Sequence, residues 1–171
     1  RTLGISKDNL DFFNKNIINV EKIIWKIKRI EIFTDNLKNE KLLNFENNDD
    51  QLFSIINNYK LFKILEKDLS KNKYFKKLKI DKENLSFIND YELIINCDYF
   101  HNITKKYFSK KIIKKYNSFA FTTIIKHEKI LNDTAIQVFT KRGPLAFLPI
   151  SSRETSVVIS FKGKDNINFK N

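Results

Sequence analysis

Along the chain the spacing of apolar positions changes several times, and each change marks a predicted element. In SKDNLDFFNKNI, Leu10, Phe13 and Ile17 recur at helical spacing, and Ser6 or Asp8 stands where it can cap the first turn. A short helix is predicted there. The next segment, IIWKIKRIEIFTDN, alternates apolar with charged residues through Trp25, Ile27, Ile30, Ile32 and Phe33, with one slip near Arg29 to Ile30 and a turn at Asp35 and Asn36. It reads as a strand with a bulge. LLNFENNDDQ and LFSIINN give two more short strands joined by a polar loop, in the manner of a hairpin.

Between Asn58 and Leu69 the stripe Leu61, Ile64, Leu65 and Leu69 has helical spacing, while Lys60, Lys63 and Lys67 fall away from it, so an amphipathic helix is predicted. YFKKLKI, NLSFIND and YELIINCD read as three strands. The last is nearly all apolar at Leu93 to Ile95, as a strand covered on both faces would be. A short polar helical segment is expected from His101. From Ile112 to Phe161 the texture turns to extended alternation, in SFAFTTIIKHE, AIQVFTK, LAFLPIS and TSVVISF, broken at Asn132-Asp133, Arg142-Gly143 and Ser152-Arg153. Four antiparallel strands in a meander are predicted over 112–161. Helices early and antiparallel strands late make the class α+β, with a mixed or antiparallel sheet and a few short helices. No internal repeat or separating linker divides the chain, which reads as a single, partial domain over 1–171.

Composition changes this picture in two places. At 171 residues, 42% hydrophobic and 13% aromatic, the chain can bury a core, and disorder is not expected. Thirty-two Lys and Arg against twenty Asp and Glu give a net charge of +12, which invites a polyanion partner. Lys, Asn, Ile, Phe and Tyr are abundant and Gly (3), Pro (2), Trp (1) and Met (0) scarce, the signature of A/T-rich codons, so composition bias accounts for the lysines. The clustered lysines Lys105, Lys106, Lys110, Lys111, Lys114 and Lys115 are accordingly read as a solvated face, and no specific nucleic acid is expected.

Cys97 is the single cysteine, which excludes an intrachain disulfide and a thiolate metal site and reads as a buried free thiol. His101 and His127 stand apart from any Ser or Cys at a spacing that identifies a triad or metal set, so no catalytic and no metal residue is assigned. No apolar run approaches the roughly 20 residues of a membrane-spanning helix. A cytoplasmic protein in peripheral contact with the inner face of a membrane is expected. The first residue is Arg1, which suggests a piece of something longer.

Four segments in order carry a resemblance: RTLGIS at Arg1, NYKLFKILEKDL, NCDYFHNITKKYF, and AIQVFTKRGPLAFLPIS from Ala135 to Ser151. The sequence resembles the middle section of the ubiquinone-biosynthesis hydroxylases, flavoproteins of the para-hydroxybenzoate-hydroxylase family. In that family an arginine follows the second strand of the dinucleotide fold, an apolar strand ends in Asp-Gly, and a sheet carries a phrase like A-x-x-x-F-T-x-x-G-P-x-A-x-L-P-L. The resemblance implies an FAD- and NAD(P)H-dependent monooxygenase acting on a polyprenylated phenol. It places Arg1 and Asp98 at the cofactor, and Gly143, Pro144, Ala146 and Leu148 in the wall of the aromatic-substrate pocket. From the residues alone, core filling accounts for at least half of Ala146, Phe147, Leu148 and Pro149.

The sequence departs from the pattern at the Asp-Gly element. Asp98 matches the aspartate, but Tyr99 holds the glycine position, Asn102 the serine position and Lys105 the arginine position. A glycine there permits positive φ and close approach of backbone to phosphate, which a tyrosine side chain crowds. The G-x-G-x-x-G turn and the Gly-Asp-Ala-x-His segment of the family are both missing. The expectation is a portion that is inactive and holds no cofactor by itself. A basic nucleic-acid-binding module and a degenerate, non-catalytic relative are the alternatives.

Overall fold

The slip at Arg29 proves to be a change of sheet. In a computed structural model describing residues 1–35, 40–47, 51–78, 86–108, 112 and 114–162, strand β2 (Ile24–Ile27) and strand β3 (Arg29–Thr34) are separated at Lys28 and belong to different sheets. One strand with a bulge was the sequence expectation. A one-residue offset reverses the side-chain alternation, and here it coincides with a chain that leaves one layer and enters another.

The chain divides into two compact units, one of 1–69 with 117 onward, the other of 70–116. In the first, β1 (Thr2–Ser6) runs into helix α1 (Lys7–Asn16), whose start is fixed by Ser6 Oγ accepting from the Asn9 N–H at 3.3 Å. Strand β4 (Lys41–Glu46) precedes β5 (Phe53–Asn57), which leads without a loop into helix α2 (Asn58–Leu69). Asn57 Oδ1 accepts from the Tyr59 and Lys60 N–H groups and so closes the first turn of α2. Strands β6 (Ser118–Lys126), β7 (Thr134–Thr140), β8 (Gly143–Ser151) and β9 (Glu154–Lys162) complete the unit.

The pairing differs from the hairpin and meander expected of the sequence. Strand β5 lies between β1 and β2, antiparallel to both, while β4 pairs with β3 in the other sheet. The six-stranded sheet has the order β4-β3-β7-β8-β9-β6: β7, β8 and β9 are consecutive hairpins, but β6 crosses to the far side of β9. Strands β3 and β7 are parallel, so the sheet is mixed. The α+β class stands, with a mostly antiparallel sheet and few helices.

Two clusters hold the layers. Leu10, Val20 and Ile56 form one, with Ile5, Phe13 and Leu61 against it, so that Leu10 of α1 is buried and Leu61 of α2 is partly buried against the three-stranded sheet. Ile27, Ile55 and Ala135 form the other, joined by Ile30, Leu148 and Ile150, and bring the small sheet onto one face of the large one. Polar ties reinforce that junction: Trp25 Nε1 donates to the Asn132 carbonyl and Lys28 N–H to the Asp133 carbonyl at 2.9 Å, while within the large sheet Arg29 Nε donates to Thr134 Oγ1 at 3.1 Å.

In the second unit regular structure is sparse among the described residues: a 3-10 turn at Ser86–Asp90 and helix α3 (Asn102–Tyr107) with His101 as its N-cap. The three strands expected in this region are not formed where they can be described. Leu93 and Ile95, assigned to a doubly covered strand, are 76% and 78% exposed. Residues 79–85, part of that expectation, lie outside the described residues. Cys97, expected to be buried, is exposed. No helix among the described residues is long and apolar enough to cross a membrane.

Candidate functional site

The phrase from Ala135 to Ser151 folds as one hairpin, β7 and β8, in the middle of the six-stranded sheet. Its turn imposes residue types. Gly143 sits at φ +141°, and a Cβ there would lie 2.0 Å from the Ser160 carbonyl oxygen of β9, so neither the backbone angle nor the space admits a side chain. Thr140 Oγ1 donates to the Gly143 carbonyl at 2.7 Å and accepts from the Arg142 N–H at 3.2 Å, which closes the turn through a side chain.

Alternation along β8 separates the expected pocket residues. Pro144, Ala146, Leu148 and Ile150 share the face toward the small sheet, and Leu148 and Ile150 pack into its core cluster. Pro149, on the other face, is fully buried. Leu145 and Phe147 lie on that same face with their cross-strand partners Val138 and Ile136 of β7 and Ile159 and Val157 of β9. Of these only Val157 is buried. The result is a broad apolar, partly exposed sheet face.

The expected cofactor residues are placed differently. Arg1 is exposed, and its carbonyl accepts from the Asn58 N–H at 3.1 Å at the edge of the small sheet. Asp98 belongs to the other unit, at an exposed turn. Its carboxylate accepts from the Phe100 N–H at 2.9 Å, and its carbonyl accepts from Thr104 Oγ1 at 2.9 Å and the His101 N–H at 3.2 Å. Tyr99 is exposed, its ring edge-on to Phe100 at 5.2 Å. The residues at this turn do not fit a flavin nucleotide: the aspartate is spent on its own backbone, a tyrosine stands where close approach is needed, and α3 is a six-residue helix whose Ile103 N–H is capped by His101. Beside the turn, a half-open cavity of about 330 Å³ is lined by Tyr91, Ile94, Asn96, Ile103, Tyr107 and Phe108.

His127 is not isolated in the fold. Its Nδ1 is 2.8 Å from the Glu128 carbonyl, an acceptor only, so Nδ1 carries the proton. Nε2 then accepts from the Thr155 hydroxyl at 3.0 Å. Thr155 Oγ1 receives Asn132 Nδ2 at 3.0 Å, and the same amide donates to the carbonyls of Ser151 at 2.7 Å and Glu154 at 3.2 Å. This hydroxyl–imidazole–carbonyl chain has the order of a nucleophile, base and orienting group. Thr155 is 7% exposed, and one of its two lone pairs accepts from Asn132, so the arrangement ties the β6–β7 connection to the β8–β9 turn with its hydroxyl buried. Twenty-eight residues separate His127 from Thr155, a distance at which local spacing carries no signal.

No protein-family model matches the sequence, and no curated protein matches it.

Proposed function

We propose that the chain forms part of the substrate domain of a flavin-dependent aromatic-ring monooxygenase similar to the ubiquinone-biosynthesis hydroxylases, and that its contribution is the apolar wall of the substrate pocket. The observation that carries the reading is the sheet face of Ile136, Val138, Leu145 and Phe147 on the hairpin that bears the family-like phrase, with Ile159 of β9 beside them, apolar yet only partly covered. A lipid-tailed phenol is recognised mainly by such surface, with few polar contacts, and excluding water from the ring is what this part of a hydroxylase has to do. Assignment of the wall to Leu145 and Phe147 replaces Leu148, whose side chain is committed to the core. Pro144 and Ala146 lie on the face that Leu148 shares, with Gly143 forming the turn that aligns β8.

The flavin is the reagent of such a reaction, and the described residues at the Asp98 turn do not fit it, so no catalytic step is assigned here. The chain purified alone is expected to be colourless and to leave NADPH unoxidised. The binding test is titration with a phenol bearing a short isoprenoid tail, followed by fluorescence of the ligand. Saturable binding lost in Phe147→Lys supports the reading, while equal binding by Phe147→Lys, or none by the natural chain, removes it.

A second reading, a polyanion-binding module, is favoured by one observation. Residues 70–116 hold twelve lysines against five acidic residues, seven of the net twelve charges. Within that unit Lys73, Lys106 and Lys114 lie 4.9, 5.3 and 5.3 Å from the rings of Tyr74, Tyr107 and Tyr116, so ammonium groups and exposed rings alternate as single-strand binders use them. Affinity for a single-stranded oligonucleotide that survives about 0.15 M salt would favour it, and its disappearance there would leave only counterion release.

A further inference from the structure

Strand β6 is an edge of the six-stranded sheet, paired on one side with β9 and with no described strand on the other. Its nine residues, SFAFTTIIK, are all exposed, including Phe119 at 61%, Phe121 at 46%, Ile124 at 44% and Ile125 at 42%. Natural sheets blunt such edges with charge, proline, bulges or brevity. The opposite edge, β4, follows that rule: six residues, Lys41 and Glu46 at its ends, and a register shift against β3. Strand β6 has no proline, an unbroken register against β9, and a single charge at its last position.

The direction of its free backbone groups follows from one bond. His127 N–H donates to the Arg153 carbonyl at 2.9 Å, continuing the β6–β9 register in which Lys126 faces Glu154. Antiparallel pairs alternate between bonded and non-bonded, so Phe119, Phe121, Thr123 and Ile125 turn N–H and C=O toward β9. Ser118, Ala120, Thr122, Ile124 and Lys126 turn theirs outward. A two-fold axis through Thr122 brings this outward set onto itself over the full strand. Thr122 meets Thr122 of a second copy, Ala120 meets Ile124, and Ser118 meets Lys126, so no like charges oppose each other. On the adjoining face Phe119 meets Ile125 and Phe121 meets Thr123, the aromatic and β-branched pairs that stabilise sheets.

We propose that β6 is a self-association edge, joining two copies of this chain antiparallel about Thr122 into one continuous sheet. Net charge opposes the contact: each copy carries +12. The dimer therefore strengthens as salt rises, opposite to the trend for a polyanion complex.

The test is the mass of the full chain in solution at about 100 μM, which populates a complex of micromolar Kd. A doubled mass is expected, rising in population with salt. Thr122→Pro removes an outward N–H and no bond to β9, so it should give the monomer with an unchanged circular dichroism spectrum. In a Cys97→Ser background, Thr122→Cys should cross-link to itself under mild oxidation, because Cα atoms of a bonded antiparallel pair stand about 5.5 Å apart, within disulfide range. Ser118→Cys, opposite Lys126, should not. A natural chain that stays monomeric at every salt concentration overturns the proposal. So does a dimer that survives Thr122→Pro, or equal cross-linking from positions 118 and 122; either would mean that another surface, or a strand from another protein, is involved.

Discussion

At the scale of single residues, the side chains with the most determined roles are those whose neighbours leave no alternative. Gly143 is one. Alanine there must hold a positive φ and place its Cβ 2.0 Å from the Ser160 carbonyl, and the two penalties add. Gly143→Ala is expected to lower the unfolding free energy by about 3 kcal/mol, the upper end for a strained backbone position, read as a shifted denaturant midpoint at constant slope. Asn132 is another, at 8% exposure, with its amide shared among Ser151, Glu154 and Thr155. Asn132→Ala leaves buried acceptors unpaired, at about 1–3 kcal/mol. Asn132→Asp should cost more, because it sets a carboxylate against two carbonyls where the donor stood. If the aspartate variant proves as stable as the natural chain, the amide is oriented the other way. In the sequence Asn132 reads as no more than a turn former, and Gly143 as a turn former that the resemblance sets in a pocket wall; neither reading reaches the carbonyls that constrain them, which come from other strands.

The elements divide by whether their information is local. Helix α1 was legible because Ser6, Leu10 and Phe13 state a cap and a stripe within one segment, and Leu10 is 1% exposed as that stripe requires. Leu10→Ala should cost about 2–5 kcal/mol, the range for a buried leucine, whereas Ile17→Ala, 47% exposed on the same nominal face, should cost little. Comparable losses at the two positions would show that the stripe continues past the helix end. The late strands were legible for the same reason, each turn being marked by its own residues. Pairing was not. Nothing within IIWKIKRIEIFTDN says that β2 and β3 part at Lys28, because the slip in alternation fits a bulge as well as a change of sheet. YELIINCD is apolar enough for a strand, but among the described residues of its unit no neighbouring strand is formed to take its backbone bonds. At the Asp98 turn one obstacle to a cofactor is visible in the sequence, Tyr99, and one is not, the use of the Asp98 carboxylate by the Phe100 N–H.

The whole molecule is shaped by contacts between its beginning and its end. Strand β3 pairs in parallel with β7, and Trp25 reaches the Asn132 carbonyl across 107 residues. Both sides of that junction belong to the first unit, while the 47 residues of the second unit, 70–116, are inserted between them. Lysines at 71, 73, 76, 77, 105 and 106 are exposed there, in segments with little regular structure, so limited trypsin digestion should cut this unit first. The β3–β7 ladder and the cluster of Ile27, Ile55 and Ala135 should then hold the two fragments together without a covalent link. On a native sizing column they should elute as one species, and in denaturant as two. Trp25, the single tryptophan, sits half-buried at the junction and reports the same event by fluorescence. Before cleavage its unfolding midpoint should not depend on protein concentration below the range where β6 self-associates. After cleavage folding becomes bimolecular, and the midpoint should rise with concentration as mass action requires. Fragments that separate without denaturant would show that the insert, and not the parallel pairing, holds the two ends of the chain together.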